Sequence, residues 1–141
     1  MKVVSFIGTK RGMSKQQKVT VKDLLIFYAP KVLVQGCCVG ADAEACEMAV
    51  KLKIKCTGYF TFDEADTSET AKVLCKKEIA GPDNAYTRYM QIVDEGGVCL
   101  FCPHHPSRQT SGEVWDVLKY AKTLRKTKII IYPDGSKEEF V

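Results

Sequence analysis

The feature that most constrains this chain is a strand-like run that breaks at glycines and turns at once into a helical pattern. It is clearest at Gln35-Gly36-Cys37-Cys38-Val39-Gly40-Ala41-Asp42, between the apolar residues 31–34 and a helical pattern over 43–52. Gly36 and Gly40 let a backbone approach a ligand closely. The first N–H groups of the helix that follows have no intrahelical partner, so the stretch is a candidate anion site.

The same grammar recurs along the chain. Residues 3–7 are β-branched and aromatic, read as a buried strand, and break at Gly8-Thr9-Lys10-Arg11-Gly12-Met13. Ser14 with Gln17 fits a capping box, and Val21, Leu24, Leu25 and Tyr28 give the helix an apolar face that Pro30 ends. Residues 54–60 read as a third strand with Gly58 inside it, and 61–67 as an acidic loop with Asp63, Glu64 and Asp66. Residues 68–80 have helical periodicity, broken by Gly81-Pro82-Asp83-Asn84. Asp83 is a candidate N-cap for a helix carrying Tyr86, Tyr89, Met90 and Val93. A strand over 98–102 leads to a polar loop and a helix from about 113 to 125, whose last turn is basic. Residues 129–132 read as the final strand, and 136–141 as a fraying tail.

Strands alternating with helices predict an α/β fold: a single Rossmann-like domain spanning 1–141. Its sheet is expected to be mostly parallel and doubly wound, with about five strands and helices on both faces. Ligands of such sheets bind at the carboxyl ends of the strands, where the strand order reverses. An order 3-2-1-4-5 makes neighbours of the loops 8–14, 35–42 and 103–113, each of which ends at a helix N-terminus. The candidate ligand contacts are then Gly8, Thr9, Lys10, Arg11, Gly12 and Met13 from the first loop. The second adds Gly36, Gly40, Ala41 and Asp42, and the third Ser111, Gly112 and Glu113. Lys10 and Arg11 bring full charges suited to phosphate, as does Arg108.

Each of these residues has a second reading. The glycines serve any turn. Asp42 and Glu113 either cap their helices or accept hydrogen bonds from a sugar or base. Trp115 is either core or a base-stacking wall. Arg88 falls on the polar side of a Tyr-rich helix, solvated or paired, or else touches ligand. His104 and His105 are solvated loop residues or, for His104, a catalytic group. Neither G-x-G-x-x-G nor a Walker A lysine motif is present, which argues against an ordinary dinucleotide or P-loop site.

A net charge of +4 suits an anionic small ligand and is thin support for a nucleic-acid partner. No apolar run approaches the roughly 20 residues that span a membrane, and no signal peptide is evident, so a cytoplasmic protein is expected. Of seven cysteines only Cys99 and Cys102 form C-x-x-C, followed by His104 and His105. Residues three apart on a strand face opposite ways, so they read as small hydrophobes with free thiols rather than a zinc site, and neither metal nor cofactor is expected.

Gly8-Thr9-Lys10-Arg11-Gly12-Met13-Ser14 resembles the G-T-R-x-G-M-T stretch of small bacterial and phage proteins of the SLOG superfamily. That superfamily is named from the Smf/DprA DNA-processing proteins and the Lonely Guy enzymes. Gly36–Asp42 is similar to its G-D-C-x-G-A-D, Tyr86 to Asp94 to its "RNR-IVD" helix, Ser111-Gly112 through Trp115 to its S-G-T-W start, and Ile131-Tyr132-Pro133-Asp134-Gly135 to its I-Y-P-D-G. The resemblance runs in order along nearly the whole chain. There are departures: Cys37 replaces an acidic residue, Tyr89 and Met90 replace Asn and Arg, and Glu113-Val114 shifts one spacing. The Lonely Guy P-G-G-x-G-T-x-x-E signature is absent. The family implies a Rossmann-like domain for nucleotides or nucleotide-derived signals, often in prokaryotic conflict systems.

The expected function is therefore binding: sensing or sequestering a nucleotide or nucleotide-derived second messenger, as a phage anti-defence sponge would. A homo-oligomer is expected, because two copies can close over one ligand. The alternative is a hydrolase, an N-glycosidase or phosphodiesterase, using Asp42, Glu113 or His104. A second alternative is single-stranded DNA binding, which wants a basic groove with aromatic platforms. Binding is preferred because no acid/base pair is specified by spacing.

Overall fold

A computed structural model describes residues 2–60, 67–75, 77–80 and 85–141. The strands are β1 (Val3–Gly8), β2 (Val32–Gln35), β3 (Lys55–Phe60), β4 (Lys77–Ala80), β5 (Val98–Cys102), β6 (Thr127–Ile131) and β7 (Lys137–Phe140). The helices are α1 (Lys15–Tyr28), α2 (Ala41–Lys51), α3 (Glu69–Leu74), α4 (Ala85–Glu95) and α5 (Glu113–Ala121). Among the described residues they make one sheet in the order β4-β3-β2-β1-β5-β6-β7. Every pairing is parallel except that of β6 with β7. The order reverses between β1 and β5, where Val4 pairs Val98 and Gly8 pairs Cys102.

Period-two alternation on the central strands builds two cores. Val4, Phe6, Leu33, Leu100 and Ile129 face α1 and α2, meeting Val21, Leu24, Leu25, Ala45 and Ala49. Ile7, Val34, Phe101 and Ile130 face α4 and α5, meeting Ile92, Val93, Trp115 and Leu118. The sheet is thus covered on both faces, as buried parallel strands require. Cys99 and Cys102 fall in different cores, on opposite faces of β5. Helix α1 starts as its sequence dictates: Ser14 Oγ accepts from the Gln17 N–H at 3.0 Å, and Gln17 Oε1 accepts from the Ser14 N–H at 2.9 Å.

Four expectations change. The sheet has seven described strands rather than about five, because both edges are extended. Residues 68–80 do not stay helical. Helix α3 buries only Ala71 among its residues, Cys75 turns extended (φ −68°, ψ 128°), and Lys77–Ala80 pairs with the open edge of β3. A short helix with so little apolar face yields to the hydrogen bonds of a free sheet edge. Residues 137–140 are not a fraying tail but the antiparallel strand β7, set by the turn at Gly135 (φ 86°) and by Asp134 Oδ1, which accepts from the Ser136 N–H at 2.9 Å. Helix α5 also ends at Ala121, short of 125. The acidic loop at 61–66 and the break at 81–84 with its Asp83 cap lie outside the described residues.

Candidate functional site

The loops after β1 and β2 are locked to each other. The Ala41 N–H donates to Thr9 O at 2.9 Å, and the Thr9 N–H to Cys102 O at 3.0 Å. Glu44 of α2 accepts from the Met13 N–H at 2.6 Å and pairs with Lys18 at 2.9 Å. A Cβ on Gly40 (φ 88°) would lie 2.3 Å from Lys10 O, and one on Gly8 would lie 2.4 Å from Ala41 Cβ. The two glycines therefore serve close loop-to-loop packing. The start of α2, expected as an open anion site, has its first N–H bonded to loop backbone instead.

Asp42 is completely buried and reaches sideways under α4. Its Oδ2 accepts from the Tyr89 hydroxyl at 2.8 Å, while Oδ1 has no hydrogen-bond partner. Burial raises its pKa to about 6, against the opposing pull of the Tyr89 hydrogen bond, nearby backbone N–H groups and the Arg88 charge. The Tyr89 hydroxyl also lies 3.3 Å from Cys38 Sγ.

Arg88 is where sequence reasoning misplaces a side chain. Expected on the polar side of its helix, it is 2% exposed. Its Nη2 lies 3.7 Å from Cys38 Sγ and its guanidinium sits 5.0 Å from the Tyr89 ring centre. Among the described residues, Nε and Nη1 have no hydrogen-bond partner. A buried guanidinium with two unpartnered nitrogens is an expensive arrangement unless something else completes it.

These groups border a cleft of about 250 Å³ between α4 and α5, at the carboxyl end of β1 beside the strand-order reversal. Gly8 and Ile7 form its floor, Tyr86, Arg88 and Tyr89 one wall, and Glu113, Val114, Asp116 and Val117 the other, with Lys10 at the rim. Of the expected contacts, Gly8, Lys10, Arg88 and Glu113 line it. Thr9, Met13, Gly36, Ala41 and Asp42 are buried and Arg11, Ser111 and Gly112 exposed, all outside its lining. Gly12 and Gly40 belong to the loop packing. Trp115 joins the core under α5, its Nε1 donating to His105 Nδ1 at 3.1 Å, so it is no stacking wall. His104 stacks on His105 at 3.9 Å and lies 3.4 Å from Thr9 Oγ1; burial and the neighbouring His105 and Arg11 push its pKa down. Arg108 turns away to Glu138 at 2.9 Å. Ile7, Tyr86, Tyr89, Asp116 and the two valines were missed; Tyr86 and Tyr89, one turn apart around Arg88, were the available signal.

No protein-family model matches the chain, and no curated protein matches it. Among solved structures it is similar to a molybdenum cofactor binding protein from the phototrophic bacterium Rippkaea orientalis, with a TM-score of 0.70 and 15% identity over 93% of this chain and 76% of that one. It is also similar to DNA processing protein A (DprA) from Streptococcus pneumoniae, with a TM-score of 0.68 and 14% identity. That match covers 92% of this chain and 50% of the DprA chain, so the chain spans about half of DprA's length. The likeness is one of fold: the chain has the Rossmann-like architecture that the SLOG resemblance implies. No described helix is long and apolar enough to cross a membrane.

Proposed function

We propose that this chain binds a small phosphate-bearing molecule, a nucleotide or nucleotide derivative, in the cleft between α4 and α5. The observation that carries the reading is Arg88, buried on the cleft wall with Nε and Nη1 unpartnered among the described residues. A phosphate that drew the guanidinium toward the cleft would form charge-assisted hydrogen bonds along one edge of it. Lys10 at the rim adds positive charge. Tyr86 and Tyr89 offer aromatic faces to a base, and Glu113 and Asp116 offer acceptors to sugar hydroxyls or a base edge. A protein of the same fold that binds the molybdenum cofactor is compatible with a small-molecule ligand.

Binding is favoured over hydrolysis by the place of Asp42. Asp42, whose pKa burial raises to about 6, is fully buried behind Tyr89 and does not line the cleft. A general base must reach the proton it takes. Tight retention of an intact nucleotide signal, the behaviour of a sponge, is the biological form of this reading, with a second copy closing over the exposed Tyr86 at the rim.

The test is calorimetry with mono-, di- and cyclic nucleotides and a short single-stranded DNA, followed by mass spectrometry of ligand released by heat. Intact nucleotide supports the proposal, and sedimentation with and without it reports the oligomer. A chemically changed ligand makes the protein a hydrolase. Binding of the DNA alone, or of nothing in the panel, overturns the reading.

A further inference from the structure

On the other side of the β2–α2 loop from the cleft, two thiols converge. Cys37 Sγ lies 3.5 Å from Cys75 Sγ. The Gln35 amide Nε2 stands over both sulfurs, 3.3 Å from Cys37 and 3.4 Å from Cys75. The space they share exists because β3 has glycine beneath it. A Cβ on Gly58 would lie 2.2 Å from Cys37 Sγ and 2.9 Å from Cys75 Sγ. Both backbones are tethered. The Cys37 N–H donates to Gln35 Oε1 at 2.5 Å, its carbonyl accepts from the Ser68 N–H at 2.7 Å, and the Cys75 N–H donates to Ala71 O at 3.0 Å. Cys37 is also held at φ 56°, a left-handed conformation costly for a residue with a Cβ.

We propose that Cys37 and Cys75 are a redox-active thiol pair that closes to a disulfide on exposure to a hydroperoxide. The sulfurs need only approach from 3.5 Å to the bond length of about 2.05 Å, a side-chain movement. The two thiols differ in role. Cys75 is half-buried and reachable, and hydrogen bonds from Cys37 and Cys46, with help from Gln35, draw its pKa far below that of a free thiol despite its burial. Cys37 is fully buried; its hydrogen bond to Cys75, then burial, hold it protonated. Cys75 is thus the thiol that a peroxide reaches, and Cys37 the resolving thiol behind it.

In the first step the Cys75 sulfur attacks a peroxide oxygen. An S–O bond forms, the O–O bond breaks, and the leaving hydroxide takes a proton to become water, giving a sulfenic acid. In the second step the Cys37 sulfur attacks the Cys75 sulfur, the S–S bond forms, and the S–O bond breaks. The departing hydroxide takes the Cys37 proton as a second water. Two thiols are oxidised and one peroxide is reduced. The bridge would tie the β2–α2 loop, one residue before Cys38, to the end of α3. Cys46 is the competing partner, since it also hydrogen-bonds Cys75.

The experiment treats the native protein with stoichiometric hydrogen peroxide, alkylates remaining thiols under denaturing conditions, and maps tryptic peptides by mass. The expected product takes up two alkyl groups fewer than reduced protein and links peptide 32–51 to peptide 73–76, with fragmentation placing the bond at Cys37. Thiol reductant restores full alkylation. Cys46→Ser retains the link, and Cys75→Ser abolishes it. Retained full alkylation, irreversible over-oxidation of Cys75 without a link, or a link through Cys38 or Cys46 overturns the proposal. These outcomes are independent of nucleotide binding.

Discussion

The Tyr89 hydroxyl donates to Asp42 Oδ2 at 2.8 Å, joining α4 to the first turn of α2 across the end of the sheet. The bond sits beneath the cleft and ties Tyr89, beside the guanidinium of Arg88, to the loop that follows β2. It also explains Gly36: a Cβ there would lie 2.8 Å from the Tyr89 hydroxyl oxygen and 3.0 Å from Asp42 Oδ2. A residue chosen from sequence as a ligand contact is, in the fold, a support for the residues that line the site.

Asp42 makes stability depend on pH with a definite sign. Its folded pKa is raised from 3.8 to about 6, so the folded chain holds this proton more tightly than the unfolded one. The contribution is fully present below pH 3.8, declines as pH rises through the window to about 6, and is lost above it. The span is worth about 3 kcal/mol at 1.36 kcal/mol per unit. Asp42→Asn is expected to flatten this part of the stability curve, read from denaturant unfolding across that window. An unchanged slope in the variant would exclude Asp42 as its source.

Removing the Arg88 guanidinium should weaken nucleotide binding without unfolding the protein. Charge-assisted hydrogen bonds contribute about 1.5–3 kcal/mol each, so Arg88→Met, which removes two, is expected to lose roughly 10²- to 10⁴-fold in affinity by calorimetry. The melting temperature should hold or rise, because an unpaired buried charge has gone. Equal affinity in the variant would remove Arg88 from the site.

Two glycines at helix starts should behave differently. Gly40→Ala must fit a Cβ 2.3 Å from Lys10 O at φ 88°, and a cost of about 3 kcal/mol or more is expected from clash and strain together. Gly112→Ala has the same conformational difficulty at φ 113° but open space around it, and should cost about 1–2 kcal/mol. Chemical denaturation of both variants checks the order; the reverse order contradicts the loop packing.

Trp115 provides a control for the site. As a core residue outside the cleft lining, it should show little change in fluorescence when nucleotide binds. Trp115→Phe is expected to lower stability by about 1–3 kcal/mol while leaving affinity within about twofold. A large loss of affinity in a folded variant would restore the stacking role.

Much of the fold was legible because the chain punctuates itself. Apolar runs ending in Gly8 and Gly36, the Ser14/Gln17 capping box and the apolar faces of α1 and α5 are local signals, and local signals survive in sequence. The edges of the sheet were not legible. Lys77–Ala80 and Lys137–Phe140 carry little strand signal of their own and become strands because β3 and β6 offer them unsatisfied backbone groups.

The site divides in the same way. Sequence alone determined that the β1, β2 and β5 loops gather where the strand order reverses, since parallel strands with crossover helices leave few other arrangements. Which residues face the ligand was decided only by tertiary packing. Loop one lies so tightly on α2 that Gly40 and Ala41 are spent on contact with the Lys10 and Thr9 backbone, and Asp42 is sealed behind Tyr89. The rotation of α4 then turns Arg88 inward, against its polarity, leaving its guanidinium with nitrogens that no other described residue satisfies. A periodic pattern records which residues prefer the interior; it cannot record that packing holds a charged one there.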